Sequence, residues 1–151
     1  MTIALPSWLG PTVIILLCCC AVLKGGLEER LTAASLFINS NVTILLRDTS
    51  WPQVQLAGFV ADVVSLVLLL AIALWSRKFW PLAAAAFQLL MVITHVAKMI
   101  DPNIGQWSYI TAIVIWTYLL MISLGVGIWN SWRAQDYAPS GEGAFRAETR
   151  R

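Results

Sequence analysis

The sequence predicts an all-α fold: an integral membrane bundle of about five transmembrane helices, with the N-terminus outside and the C-terminus inside. Three observations support this prediction. The first is composition: 59% of the 151 residues are hydrophobic and 12% are charged, whereas soluble proteins have about 45–50% apolar and about 25% charged residues. The second is that the apolar residues lie in long stretches, and the third is that Lys and Arg concentrate in the links on one side.

Five apolar stretches account for most of the chain. A helix needs about 20 residues at about 1.5 Å each to cross the bilayer core, and the last three stretches reach this length. The first is short, and because residues 1–7 contain no Lys or Arg, it lacks the basic start of a signal peptide and is expected to be retained. The second contains several Ser, Thr and Asn residues, so whether it spans fully stays open. In chain order the stretches are Trp8–Leu23, Leu27–Leu46, Val54–Trp75, Pro81–Ile100 and Ser108–Asn130.

The distribution of positive charge favours five spans. If all five stretches span and the C-terminus is cytoplasmic, eight Lys and Arg residues lie inside and two, Arg47 and Lys98, lie outside, as the positive-inside rule expects. If the second stretch did not span, the counts would be six inside and four outside. The eight inner residues are Lys24, Arg30, Arg77, Lys78, Arg133, Arg146, Arg150 and Arg151.

The chain divides into a transmembrane helical domain, residues 1–132, and a polar tail, residues 133–151, which is predicted to be disordered and cytoplasmic. The sequence Asp101-Pro102-Asn103 is predicted to end the fourth helix and turn the chain. The pair Gly125-x-Gly127 thins one side of the fifth helix and is expected to aid helix packing. The formal charge of +2 is too small to indicate a nucleic-acid partner.

Several polar side chains fall inside predicted spans, where they are costly and usually face the bundle interior or a cavity. Asp62 lies eight residues into the third stretch, about 12 Å from its outer end, while His95 lies about 8 Å and Asn39 about 10 Å deep by the same helical rise. These three residues are therefore expected to form one polar layer in the outer half of the membrane. The candidate cluster comprises Asn39, Asp62, Gln88, His95 and Lys98.

Two interpretations of this layer stay open. In the first it joins helices: Asp62 pairs with His95 or Lys98, and the amides hydrogen-bond across helices. Gly58 and Ser65 support this, because spacings of four and three put them on the face of Asp62. In the second the layer is a site, open to the outer compartment, for a ligand, a cofactor or a proton. In either case the Lys98 side chain is expected to reach the outer surface near Asp101.

The one histidine of the chain, His95, raises the hypothesis of a haem or chlorin ligand. Haem bound by two histidines of one chain is excluded. A His/Met pair remains open, as do a haem shared in a homodimer and a five-coordinate pigment, but no motif supports them, so no cofactor is predicted. The methionines available for a pair are Met91, Met99 and Met121.

No pattern in the sequence indicates a catalytic site. Cys18, Cys19 and Cys20 are consecutive, and because neighbours on a helix point about 100° apart, they cannot converge on one metal. The sequence contains no phosphate-binding loop, HExxH, CxxC or serine-elbow motif. We therefore expect no metal site, no catalytic residues and no enzymatic activity.

One region of the chain resembles known sequences. It contains Arg77-Lys78-Phe79-Trp80-Pro81-Leu82, then Phe87-Gln88-Leu89-Leu90, Thr94-His95-Val96-Ala97-Lys98 and Asp101-Pro102. This pattern is similar to that of a group of short, uncharacterised alphaproteobacterial multi-pass membrane proteins, over about residues 54–130. The resemblance implies a bacterial inner membrane and points to His95, Lys98 and Asp101, but it implies no activity.

The sequence thus predicts a non-catalytic multi-pass inner-membrane protein, a subunit or an accessory or assembly factor of a larger membrane complex. Its expected partners are the lipid bilayer and other membrane-protein subunits. A small transporter or proton-linked carrier that uses Asp62 and His95 is the first alternative. A membrane subunit that binds haem or pigment through His95 is the second.

Overall fold

The computed structural model describes the backbone of residues 9–45 and 51–136, and the side chains of residue 10 and of residues 12–42 and 56–134. This part of the chain is helical and contains no strand, which confirms the all-α prediction. The last helix continues to Asp136, and residues 137–151 of the predicted tail lie outside the described residues. The helices are α1 (Leu9–Lys24), α2 (Leu27–Leu45), α3 (Trp51–Trp75), α4 (Trp80–Ile100) and α5 (Gln106–Asp136).

Short links join the described helices in two places, and a polar turn joins them in a third. Only Gly25 and Gly26 separate α1 from α2, and a Cβ atom on Gly25 would lie 2.6 Å from the Ala21 carbonyl oxygen, so only glycine fits there. Residues 76–79 separate α3 from α4, whose first turn contains proline, as helix starts often do. The predicted turn after α4 is confirmed: Asp101 Oδ1 accepts a hydrogen bond from the Asn103 N–H at 3.0 Å.

The five helices form a ring in which each one contacts its neighbours along the chain, and α1 closes the ring against α5. Helix α2 also contacts α5, so it lies towards the middle of the bundle. The centre is filled by aliphatic side chains of which the largest are Leu69, Leu120 and Leu124, each at most 1% exposed. Because consecutive helices run in opposite directions, the two short links and the end of α5 share one end of the bundle.

We call this end the basic end; it carries residues 24–30, 76–79 and 131–133. Two cation–aromatic contacts lie there, one between α1 and α5 and one within α5. Lys24 Nζ lies 5.4 Å from the ring centre of Trp132, and the Arg133 guanidinium lies 5.3 Å from that of Trp129. The opposite end, which carries residues 101–105, is called the far end. Cations over tryptophan faces suit a helix end at a membrane surface.

Large apolar side chains cover much of the outer surface of the bundle, and several polar side chains are buried inside it. The interior holds fully or almost fully buried polar groups, whereas large apolar side chains such as Leu74 and Phe79 are 88% and 89% exposed. Among the described residues, three helical segments are long and apolar enough to cross a membrane: Leu56–Trp75, Trp80–Ile100 and Gln106–Ala134. The apolar segment Thr12–Lys24 of α1 is shorter. The prediction of a membrane helical bundle is thus supported.

Glycines of α5 allow close helix packing, as the sequence predicts. A Cβ atom on Gly127 would lie 2.7 Å from the indole ring of Trp80, so the ring packs directly on the helix backbone. The Ser123 hydroxyl, one turn away, donates a hydrogen bond to the Trp80 carbonyl oxygen at 2.9 Å. A Cβ atom on Gly125 would meet only Leu17 of α1, at 3.9 Å. The tighter of the two glycine contacts therefore fixes the start of α4 against α5.

Candidate functional site

A hydrogen-bonded network surrounds the carboxylate of Asp62 in the half of the bundle nearer the far end. Asp62 lies on α3 and is 3% exposed. Its Oδ1 atom accepts hydrogen bonds from Asn39 Nδ2 of α2 at 2.6 Å and from Gln88 Nε2 of α4 at 2.9 Å. Gln88 also reaches the Asp62 backbone oxygen at 3.1 Å. One carboxylate thus joins three helices through side-chain amides.

The second oxygen of Asp62 begins a chain of polar groups that reaches α5. Asp62 Oδ2 lies 2.9 Å from His95 Nε2, and His95 Nδ1 lies 2.9 Å from the hydroxyl oxygen of Tyr109. His95 and Tyr109 are each 6% exposed. A neutral imidazole has one donor and one acceptor nitrogen, so a proton on Nε2 donates to the Asp62 carboxylate while Nδ1 accepts from Tyr109. Every polar atom of the ring is then satisfied.

The backbone and two aromatic rings hold the imidazole of His95 in place. Gly58 lies one turn before Asp62 on α3, and a Cβ atom there would be 3.6 Å from His95 Cε1, so the absent side chain makes room for the ring. The rings of Phe59 and Tyr109 contact His95 edge to face, with centroids 6.2 Å and 5.6 Å away. These contacts fix the ring plane along the line from Asp62 to Tyr109.

The structure brings four of the five predicted cluster residues together, but Lys98 lies apart from them. Lys98 Nζ donates hydrogen bonds to the carbonyl oxygens of Pro102 at 2.9 Å and Ile104 at 2.6 Å. Its side chain therefore extends to the far end, as expected, and there it stabilises the turn between α4 and α5. Of the two expected partners for Asp62, the structure selects His95.

Both ring nitrogens of His95 are occupied, which bears on the haem or pigment hypothesis. A histidine that ligates a metal usually donates one nitrogen to a neighbour and binds the metal with the other; here an axial bond would have to displace Asp62 or Tyr109. Of the expected methionine partners, Met91 accepts a contact from the Thr117 hydroxyl at 3.9 Å, and Met99 is 47% exposed. Within residues 9–45 and 51–136, no three His, Cys, Asp or Glu side chains are grouped to hold a metal ion.

A second buried polar cluster lies at the basic end. Glu29, near the start of α2, is 0% exposed, and its Oε1 atom lies 3.0 Å from Lys78 Nζ and accepts a hydrogen bond from the Ser131 hydroxyl at 2.7 Å. Lys78 also lies 3.0 Å from Glu28 Oε2, which accepts a bond from the Ser76 hydroxyl at 3.2 Å. This cluster ties α2 to the α3–α4 link and to α5.

The charges of this second cluster depend on one another. Burial by itself lowers the pKa of Lys78, but the hydrogen bonds and negative charges of Glu29 and Glu28 outweigh this and raise the pKa above its ordinary value. Within the described part of the chain, two buried side-chain polar atoms have no hydrogen-bond partner: Glu29 Oε2 and Trp80 Nε1. Both belong to the basic end, so this end is less completely paired than the network around Asp62.

A cleft of about 200 Å³ lies on another side of the bundle, between α1, α2 and α5. None of the five predicted cluster residues lines it. Most of its lining is apolar, with hydroxyl groups from three residues. The lining residues are Gly10, Ile14, Ser40, Val114, Thr117, Tyr118 and Met121. The cleft is thus a feature separate from the network around Asp62.

Sequence reasoning missed two of the interacting groups. Tyr109 was not among the predicted cluster residues; it is the fourth residue of α5, and aromatic residues near a span end are typical of the membrane interface. Glu29 was also missed, although it lies three residues before Thr32 and extends the polar face of α2 towards the basic end. Comparison of the chain with protein-family models, curated proteins and solved structures finds no match.

Proposed function

We propose that this chain is a non-catalytic protein of the bacterial inner membrane that crosses the bilayer five times and acts as a subunit or an accessory factor of a larger membrane complex. The bacterial inner membrane is proposed from the resemblance of residues 77–102 and from the charge asymmetry. The observation that carries the subunit role is the internal pairing of the network around Asp62.

Five spans are supported by the way α2 packs. Its polar residues face the bundle: Glu29 and Thr32 are 0% exposed, and Asn39 bonds to Asp62. Its exposed face carries large apolar side chains, with Leu31 at 41%, Phe37 at 46% and Ile38 at 61% exposure. A helix with polar groups inside and apolar groups outside suits lipid rather than water. This distribution supports α2 as a membrane-spanning helix.

The proposed orientation, N-terminus outside and C-terminus inside, is supported by the charges at the basic end. Lys24, Arg30, Arg77, Lys78 and Arg133 all lie in segments that meet there. At the far end, the described basic residue is Lys98, and it bonds to backbone carbonyls. The positive-inside rule puts the end with more Lys and Arg in the cytoplasm.

The network supports a structural role because its polar groups bond to one another. Both oxygens of Asp62 and both ring nitrogens of His95 have partners within the chain. A transported solute would have to break these bonds. Hydrogen bonds of this kind join helices in lipid. The network therefore fits a rigid bundle that presents fixed helix surfaces to partners.

The test is extraction of the C-terminally tagged protein from its native membrane in a mild detergent, followed by native-size analysis and identification of co-purifying chains. A discrete assembly with stoichiometric partners is the expected result. Asp62→Ala should lower the amount of this assembly, whereas Thr94→Ala, which removes a hydroxyl bonded to its own helix at Leu90, should not. A small particle that contains only this chain, in wild type and variants, would overturn the proposal.

A second candidate function, a small proton-linked carrier that uses Asp62 and His95, is favoured by one specific observation. The groups from Asp62 through His95 to Tyr109 form a continuous hydrogen-bonded chain, and each of the three can give or take a proton. Asp62→Asn distinguishes the two candidates. A carrier would assemble normally but lose solute-coupled proton flux in reconstituted vesicles, whereas a subunit would show no such flux in wild type either.

A further inference from the structure

The protons of the network can be counted from its hydrogen bonds. The amide nitrogens of Asn39 and Gln88 can only donate, so Asp62 Oδ1 must accept both bonds. The Asp62–His95 bond then holds one proton, and the His95–Tyr109 bond holds one proton. When Nδ1 of His95 carries no proton, Tyr109 donates to it, Nε2 donates to the carboxylate, and the network has one negative charge.

Adding one proton to the network reverses the hydrogen bond between His95 and Tyr109. The added proton makes either an imidazolium beside the Asp62 carboxylate, or a neutral imidazole beside a protonated Asp62. In both forms Nδ1 of His95 carries a proton and donates to the Tyr109 oxygen. The Tyr109 hydroxyl therefore changes from donor to acceptor whichever form is adopted, and the network becomes neutral.

Among the described groups that contact His95, one can relay that proton. Nε2 faces Asp62, whose other oxygen is covered by amide groups that donate but do not relay protons. Gly58 and the edge of Phe59 cover the carbon side of the ring. At Nδ1 lies the Tyr109 hydroxyl, which both donates and accepts. Tyr109 is the fourth residue of α5 and is thus close to the far end.

We propose that the Asp62–His95–Tyr109 chain is a proton-binding site, and that protons enter and leave it through the hydroxyl oxygen of Tyr109. In the loading step, Tyr109 passes its hydroxyl proton to His95 Nδ1, where an N–H bond forms, and takes a proton from a hydronium ion at the far end, which leaves as water. One O–H bond breaks and one forms on Tyr109, which stays a neutral phenol, and the network gains one proton. The inference goes beyond the proposed function, because it holds for a subunit as well as for a carrier.

The chain has a single histidine, so ¹⁵N-histidine labelling gives one set of ring signals that belongs to His95. The experiment measures exchange of the His95 ring protons with D₂O by NMR, on the full chain in detergent or lipid. Wild type is compared with Tyr109→Phe, which keeps the aromatic ring beside His95 but lacks the relay oxygen. The matched control is Tyr118→Phe, which removes a hydroxyl that lines the cleft instead.

We expect exchange to slow by about tenfold or more in Tyr109→Phe, because exchange must then wait for the buried bonds around His95 to open. Tyr118→Phe should exchange at the wild-type rate. Exchange in Tyr109→Phe that is as fast as wild type, or faster, would overturn the proposal, since Tyr109 would then act at most as a cover over the ring.

A second measurement applies if Tyr109→Phe does not assemble. Uniform replacement of tyrosine by 3-fluorotyrosine keeps the hydroxyl and the shape but makes the hydroxyl more acidic, which changes the rate of a proton transfer through it. A change of about threefold or more in His95 exchange supports the proposal, provided that the same change occurs in a Tyr118→Phe background. An unchanged rate contradicts it. Neither measurement depends on partners or on transport, so its outcome is separate from that of the proposed function.

Discussion

Replacing Asp62 by alanine removes both its charge and its hydrogen bonds, whereas asparagine removes the charge and can keep the contacts. Asp62→Ala removes the acceptor for Asn39, Gln88 and His95 at once. An unpaired buried polar group costs about 1–3 kcal/mol in soluble proteins, but side-chain hydrogen bonds between membrane helices average about 0.6 kcal/mol with a maximum near 1.7. Three such bonds are lost, although Gln88 can keep its bond to the backbone oxygen of residue 62. The free energy of unfolding should therefore fall by about 2–4 kcal/mol.

Asp62→Asn should cost less, about 1 kcal/mol, because an amide fills the same space and can keep each contact. Its oxygen must face the amide donors of Asn39 and Gln88, so its NH₂ group must face His95. The imidazole then has to accept at Nε2 and carry its proton on Nδ1, donating to Tyr109. The asparagine variant therefore keeps the fold but fixes His95 in the opposite neutral tautomer.

The assay is unfolding of the purified protein in mixed micelles with increasing SDS, followed by helix content, together with the ¹⁵N spectrum of His95. Thr94→Ala is the control, because the Thr94 hydroxyl bonds to the Leu90 carbonyl of its own helix. It should change the free energy of unfolding by less than about 0.5 kcal/mol. If alanine proved as stable as wild type, or asparagine as damaging as alanine, the network would not be what holds these helices together.

Three further predictions concern the basic end, each measured by the same unfolding assay. Gly127→Ala should destabilise by about 1–3 kcal/mol, because its methyl group would lie 2.7 Å from the Trp80 indole; wild-type stability would mean that the ring moves freely. Glu29→Gln should lower the free energy of unfolding by about 1–2 kcal/mol, since Glu29 is fully buried against Lys78. Glu28→Gln, at a partly exposed pair, should lower it by less than about 1 kcal/mol. Equal losses in the two variants would contradict this. The pKa of Lys78 is raised in the folded protein, so its contribution to stability is complete below the ordinary lysine pKa and is lost as the pH rises through the folded value. Lys78→Met should therefore remove this alkaline loss of stability. An unchanged alkaline profile in the variant would refute the prediction.

The helices and their order could be predicted from the sequence because apolar length and turn residues are local properties. Asp101-Pro102-Asn103 follows the last residue of α4 directly, as predicted. The depth of a side chain follows from helical rise alone, and this is why Asn39, Asp62 and His95 were expected in one layer. Depth does not depend on which helices are neighbours, so it could be obtained without knowing how they pack.

Contacts across helices could not be predicted in the same way. Lys98 has a long flexible side chain, and only the position of the turn oxygens decides that it bonds to the carbonyls of Pro102 and Ile104. The pairing of Glu29 with Ser131 joins residues 102 positions apart and depends on α2 packing against α5. Tyr109 became part of the network because α5 lies beside α4, which no local pattern in α5 indicates.

The position of Glu29 has a consequence for the order in which the chain is made. Helix α2 leaves the ribosome before any of the groups that bond to its polar face: Asp62 on α3, Lys78 in the next link and Ser131 on α5. Until Ser131 has been synthesised, the Glu29 carboxylate of α2 lacks one of its final partners. Chains that stop short of Ser131 are therefore incomplete at α2 as well, and α2 reaches its final state only when synthesis of α5 is nearly finished.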